Sequence, residues 1–150
     1  GALISGSVQP DQLEQFIHIG TDLGVAFQIQ DDVLNLIGEE GVYGKEIAGD
    51  ISEGKRTLML IHLFRSCTES ESAILTSIMD KQRQEKTEVE VFDVLNLMKK
   101  YNSIQYAEQK SKQFAKQASD KFDQVSGILP GEEAKQIFKS LIDFVIERQY

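Results

Sequence analysis

The sequence predicts an all-α fold, and three observations carry the prediction. The chain has only two prolines in 150 residues, Pro10 and Pro130, so long windows are free of helix breakers. Most of its eleven glycines gather at residues 1–6, 20–24 and 38–54, which leaves the other stretches with little turn punctuation. Within those stretches apolar residues recur three and four apart, and nowhere do apolar and polar residues alternate for long enough to make a strand.

The elements follow in order. Pro10-Asp11 has the character of a helix start, and apolar spacing runs through Leu13, Phe16, Ile17, Leu23, Phe27 and Leu34 to Ile37, where Gly38 ends it. A helix of that length is unusual. Residues 39–54 are rich in glycine and charge and are expected to form a loop. Thr57–Arg65 reads as a short helix, followed by amphipathic helices at Glu71–Asp80, Glu88–Tyr101, Ser103–Val125 and Glu132–Gln149. Polar breaks fall at Lys81–Lys86 and around Gly127-Ile128-Leu129-Pro130. Along the helix from Ser103, Ile104, Ala107, Ser111, Phe114, Ala118 and Val125 form a narrow seam. It lacks the sustained heptads of a coiled coil and is expected to be a core stripe.

Composition narrows the function classes. A net charge of −8 and a pI near 4.8 argue against a nucleic-acid binder held by phosphate contacts. Apolar residues at 41% are enough for one sizeable core. No apolar run approaches the ~18 residues of a membrane span, and no basic segment precedes a cleavable apolar stretch, so a cytoplasmic location is expected. The one cysteine, Cys67, has no partner for an intrachain disulfide and reads as a plain helical residue. Ala2-Leu3-Ile4 read as the end of an apolar element, so the chain is expected to be part of a longer one.

At ~100° per residue, Gln28, Asp31, Asp32 and Asn35 share one face of the first helix. Nearly every other residue from Leu23 to Ile37 is small or apolar, and a helix apolar on most sides is expected to be buried. Two adjacent carboxylates on such a helix need compensation, because desolvating an ionised carboxylate is costly. The stripe therefore faces a polar cavity, a metal or a cation, or else Asp31 and Asp32 pair with lysine or arginine from elsewhere in the chain or meet water at an edge.

The glycine-rich segment that follows is a source of cations. Gly44-Lys45 and Gly54-Lys55-Arg56 bracket Gly49-Asp50, and such a loop brings backbone and lysines close to a ligand. Gly49 to Lys55 also matches the first seven positions of a phosphate-binding G-x-x-x-x-G-K-[ST] loop. Arg56 then occupies the hydroxyl position, and no strand precedes the loop, which disfavours a nucleoside triphosphate. Carboxylates followed by lysines suit instead a phosphorylated ligand whose charge is shared by Mg²⁺ and ammonium groups.

Phe27-Gln28-Ile29-Gln30-Asp31-Asp32-Val33-Leu34-Asn35-Leu36, then Tyr43-Gly44-Lys45, Gly49-Asp50-Ile51 and Glu53-Gly54-Lys55-Arg56-Thr57-Leu58, resemble the second aspartate-rich region of the trans-isoprenyl diphosphate synthases, or polyprenyl synthetases. Phe144 to Tyr150 is similar to the end of bacterial-type members, and Asn35 stands for a third aspartate as in geranylgeranyl diphosphate synthase-like members.

The resemblance implies the C-terminal part of an isoprenoid-synthase-type helical bundle, residues 1–150 forming the portion that carries the second of two facing aspartate-rich helices. The first motif and the basic residues for isopentenyl diphosphate would lie upstream. It implies a Mg²⁺-dependent, homodimeric prenyltransferase that condenses an allylic diphosphate with isopentenyl diphosphate, the isolated chain being inactive. Carried over by position, Asp31 and Asp32 bind Mg²⁺, Lys45 and Lys55 hold the allylic diphosphate, and Phe27 packs near the reacting alkene. Asp31, Lys45 and Lys55 would carry catalysis. Gln28 borders the substrate, while Asn35 and Asp50 orient these groups. The alternatives are a noncatalytic helical subunit that dimerises with an active partner, and a terpene cyclase. The latter is disfavoured because the helix lacks the Asn/Asp-x-x-Ser/Thr-x-x-x-Glu metal pattern.

Overall fold

The computed structural model of the chain describes residues 10–37, 48–128 and 131–147, and the described residues contain helices and turns with no strand. The helices are α1 (Pro10–Ile37), α2 (Gly49–Ser52), α3 (Leu58–Ser66), α4 (Glu69–Met79), α5 (Glu88–Lys100), α6 (Ser103–Val125) and α7 (Glu132–Glu147). Short 3₁₀ turns at Arg83–Glu85 and Ser126–Ile128 occupy the two expected polar breaks.

Helix starts are set by threonines. The hydroxyl of Thr57 accepts from the Leu60 N–H, so Thr57 caps α3 from outside and is not its first residue. Thr68 and Thr87 each form a capping box with the glutamate three residues on, Glu71 and Glu90, which starts α4 two residues earlier than its apolar pattern suggests. Cys67, expected within a helix, instead follows α3 in extended conformation.

The chain divides into two compact units. In the first, residues 10–28 and 110–147, a core forms from Ile19, Ala118, Phe122, Val125 and Ile142. The Phe122 and Phe138 rings stack with centroids 4.6 Å apart. The buried Ser111 hydroxyl donates to the Ala26 carbonyl at 2.8 Å, so the one polar member of the α6 seam is satisfied where that seam meets α1. Lys121 pairs with Asp22.

In the second unit, residues 29–109, the core is built by Val33 and Leu36 of α1, Ile51 of α2, Met59, Leu60 and Leu63 of α3, Leu75 and Ile78 of α4, and Val94, Leu95 and Met98 of α5. Helix α5 packs against both α2 and α3. Glu71 at the start of α4 accepts from Lys100, the last residue of α5, and from Tyr101 just after it, each at 2.6 Å. His62 stacks on Tyr106 at 4.2 Å and its Nδ1 meets the buried Ser103 hydroxyl at 3.0 Å.

Burial of α1 is less complete than its apolar circumference suggests. Ala26, Val33, Leu34 and Leu36 are buried, but Val25, Phe27 and Ile37 are exposed. On α7, Ile137, Leu141 and Phe144 are likewise exposed.

Candidate functional site

The site grows from the last turns of α1 and the reversal that follows. Ala48 adopts the left-handed conformation at φ 59° and is buried, its N–H donating to the Asn35 carbonyl at 2.9 Å. From there the chain enters α2, whose second residue, Asp50, donates its N–H to Asn35 Oδ1 at 3.0 Å. The segment expected to be plain loop thus contains a helical turn docked on α1. Gly54, at φ 75°, ends this turn in a conformation that disfavours any residue with a Cβ. The Lys55 N–H then donates back to the Asp50 carbonyl at 2.9 Å.

This reversal returns the Lys55 side chain to α1. Its ammonium donates to Asp32 Oδ1 at 2.9 Å and to Asp50 Oδ2 at 3.1 Å. The lysine side chain is 43% exposed while the Asp32 and Asp50 side chains are 11% and 13% exposed, so sheltered carboxylates hold a cation that still reaches solvent. The hydrogen bond to Asp32 raises the Lys55 ammonium above its ordinary 10.5; desolvation opposes this, and Asp50 adds to it. Compensation by a lysine of the same chain, one of the alternatives open for the stripe, therefore describes Asp32.

Asp31 precedes Asp32 on α1 and is half-buried. Phe27 and Gln28 lie on the part of α1 that belongs to the first unit, both exposed, and Phe27 lines an open apolar groove of about 430 Å³ with Leu23, Leu141 and Phe144. Lys45 lies outside the described residues, as does the rest of 38–47. The sequence reading missed Lys86, which it placed in a polar break. Its ammonium donates to the Ser52 carbonyl at 3.2 Å and the Lys81 carbonyl at 2.6 Å, tying the 81–86 segment to the end of α2. No sequence pattern announces that contact, since a lysine between helices is ordinarily solvated.

The donor set can be tested against a metal. Among the described residues there is no group of three or more His, Cys, Asp or Glu side chains that could hold an ion, so these residues do not form an all-protein cage. Asp31 and Asp32 do fit a cation such as Mg²⁺, which takes one or two carboxylates and completes its shell with water and phosphate oxygens. The position beside Asp32 already accommodates positive charge, that of Lys55.

The polyprenyl synthetase family model matches residues 1–98. The chain is 35% identical to a geranylgeranyl diphosphate synthase of Sulfolobus acidocaldarius over 99% of its own length and 43% of that protein's. A geranylgeranyl pyrophosphate synthetase structure from Pyrococcus horikoshii aligns with a TM-score of 0.79 at 32% identity, covering 95% of this chain and 41% of that one. A polyprenyl synthase from Caulobacter crescentus, solved with calcium and isoprenyl diphosphate, aligns with a TM-score of 0.77 at 25% identity, over 98% of this chain and 43% of that one. The chain thus spans less than half the length of these relatives.

Proposed function

Because the chain belongs to the polyprenyl synthetase family, we propose that it supplies the diphosphate-binding half of a cytoplasmic, homodimeric enzyme that joins an allylic diphosphate to isopentenyl diphosphate. The observation that carries this reading is the pairing of Lys55 with Asp32 and Asp50, a cation held at the end of a helix whose preceding residue is a further carboxylate, Asp31. A relative bearing calcium with an isoprenyl diphosphate supports the ligand class.

In this reading the exposed ammonium of Lys55 binds an oxygen of the allylic diphosphate, while Asp50 keeps the lysine from swinging into solvent. Asp31 and Asp32 would hold Mg²⁺, and Lys45 would add a second ammonium. Bound magnesium would neutralise the charge that develops on the departing diphosphate. Orientation by these residues matters as much as charge, since the allylic carbon must meet the alkene of isopentenyl diphosphate in line. In this reading the groups that bind isopentenyl diphosphate would lie in the part of the relatives that this chain does not span. The exposed apolar side chains of α1 and α7 are the surface which that part would cover.

Calorimetry of the chain with geranyl diphosphate tests this reading. Binding should require Mg²⁺ and weaken at least about tenfold in Asp31→Asn and in Lys55→Met, the loss of one charge-assisted contact. Binding that ignores Mg²⁺, or that neither substitution changes, overturns the assignment and favours a noncatalytic helical subunit.

A further inference from the structure

We propose that Asn35 is a positioning residue for Lys55 and acts through Asp50. The inference rests on the reading of Lys55 as a diphosphate-binding group and adds the residue that aims it.

Helix α2 has a defect at its start. Its N-cap residue is Ala48, which has no side-chain oxygen to accept from the first turn, and no side-chain cap of its own is formed. An N-cap side chain normally accepts from the second or third N–H of the helix. Here the second N–H, that of Asp50, donates to Asn35 Oδ1, so a residue fifteen positions upstream on α1 supplies the missing cap. The same residue's carbonyl accepts the Ala48 N–H. Asn35 thus accepts one bond from Ala48 and one from Asp50, two residues further on, and these flank the left-handed backbone of Ala48, which persists only where the surroundings enforce it.

The consequence passes to Lys55. Asp50 grips that lysine twice, by its carbonyl to the Lys55 N–H and by its carboxylate to the ammonium. A shift of the Asp50 backbone moves both contacts together. A neutral amide at position 35 also suits the place, because it offers an acceptor to the Asp50 N–H without adding a negative charge beside Asp32 and Asp50, which already share the Lys55 ammonium. The residue that departs from an all-aspartate motif thus has a task of its own.

Nuclear magnetic resonance on the 150-residue chain tests this without a ligand. In Asn35→Ala the Asp50 amide should exchange about five- to tenfold faster, the loss expected for a helix cap. The Lys55 side-chain nitrogen signal should move in the direction seen in Asp50→Asn, while the Leu75 amide keeps its protection. Asn35→Asp, which retains an acceptor, should keep Asp50 protected. Should Asn35→Ala lose Leu75 protection as well, Asn35→Gln, which displaces the amide by one methylene, is read by the same two signals. An unmoved Lys55 signal in the folded variant overturns the inference.

Binding of pyrophosphate with Mg²⁺ then separates this inference from the functional reading. Asn35→Ala should weaken binding in the parent chain and have no added effect in a Lys55→Met background. An equal loss in both backgrounds overturns the action through Lys55 and leaves the functional reading intact. Unchanged binding in Lys55→Met alone overturns the functional reading, and the positioning role with it.

Discussion

Lys86 and Ser52 are 34 positions apart, yet the ammonium of one donates to the backbone carbonyl of the other at 3.2 Å. A carbonyl at the end of a four-residue helix has few partners, and this cation supplies one. Lys86→Met should cost about 1–2 kcal/mol, since hydrogen bonds to charged groups contribute more than neutral ones. Urea denaturation measures it. A loss below a few tenths would mean that water replaces the ammonium freely.

Gly54 stands beside the same contact. A Cβ there would lie 3.4 Å from Lys86 Nζ and 3.5 Å from the Met79 carbonyl, which is ordinary contact, so space does not forbid a side chain. The backbone does, at φ 75°. Gly54→Ala should therefore destabilise by about 1–2 kcal/mol through left-handed strain, whereas Gly54→Asn should cost less. Equal costs for the two, from paired thermal melts, would point to crowding as the cause.

In the first unit, Phe122 is 2% exposed and stacked on Phe138. Phe122→Ala should cost about 3–5 kcal/mol by lost burial and a residual cavity. Phe122→Leu should recover most of it. Equilibrium unfolding of the pair would show a packing role to be minor if the alanine variant lost under 1 kcal/mol.

Acid should reveal the capping boxes. Contact with Lys81, then the Thr87 N–H, holds the Glu90 carboxyl at about 2, below its ordinary 4.5. As pH falls, the unfolded chain takes up this proton first, so the stabilisation is complete above about 4.5 and is lost as pH drops through about 2. Glu71 is lowered in the same direction, first by Lys100 and then by Tyr101. The melting-temperature gap between the parent and Glu90→Gln should thus be constant near neutrality and close between about 4.5 and 2. A gap that persists unchanged at the acid end would contradict the linkage.

The chain by itself should not elongate geranyl diphosphate with isopentenyl diphosphate, because one diphosphate-binding wall does not position two substrates. A radiolabelled prenyl-transfer assay on purified material is sufficient. Product formation above a Lys55→Met control would show that these residues make a complete catalyst.

How much of this was legible in the sequence depends on whether local pattern or distant contact decides the outcome. The Ile104 to Val125 seam of α6 was legible because its residues recur at the helical period, and all but the partly buried Phe114 are buried. Asp31 and Asp32 could be singled out because carboxylates are conspicuous on an apolar helix. Helix α2 could not, since four residues carry no period and its start is capped from Asn35, far off in the sequence. The exposure of Val25 and Phe27 is not legible in the sequence, because periodicity says that a face is apolar and not what covers it.

The turn between α5 and α6 offers a lesson for anyone wishing to cut, graft or permute this chain. Such links between helices are the usual places to open a protein, and Asn102 is exposed. Its neighbours are fastened on both sides, however, Tyr101 by its hydroxyl to Glu71 and Ser103 by its hydroxyl to His62. New termini or an inserted tag at Asn102 would have to unfasten the start of α4 and the ring stack on α3 together. The surface position that looks most permissive is thus among the least forgiving.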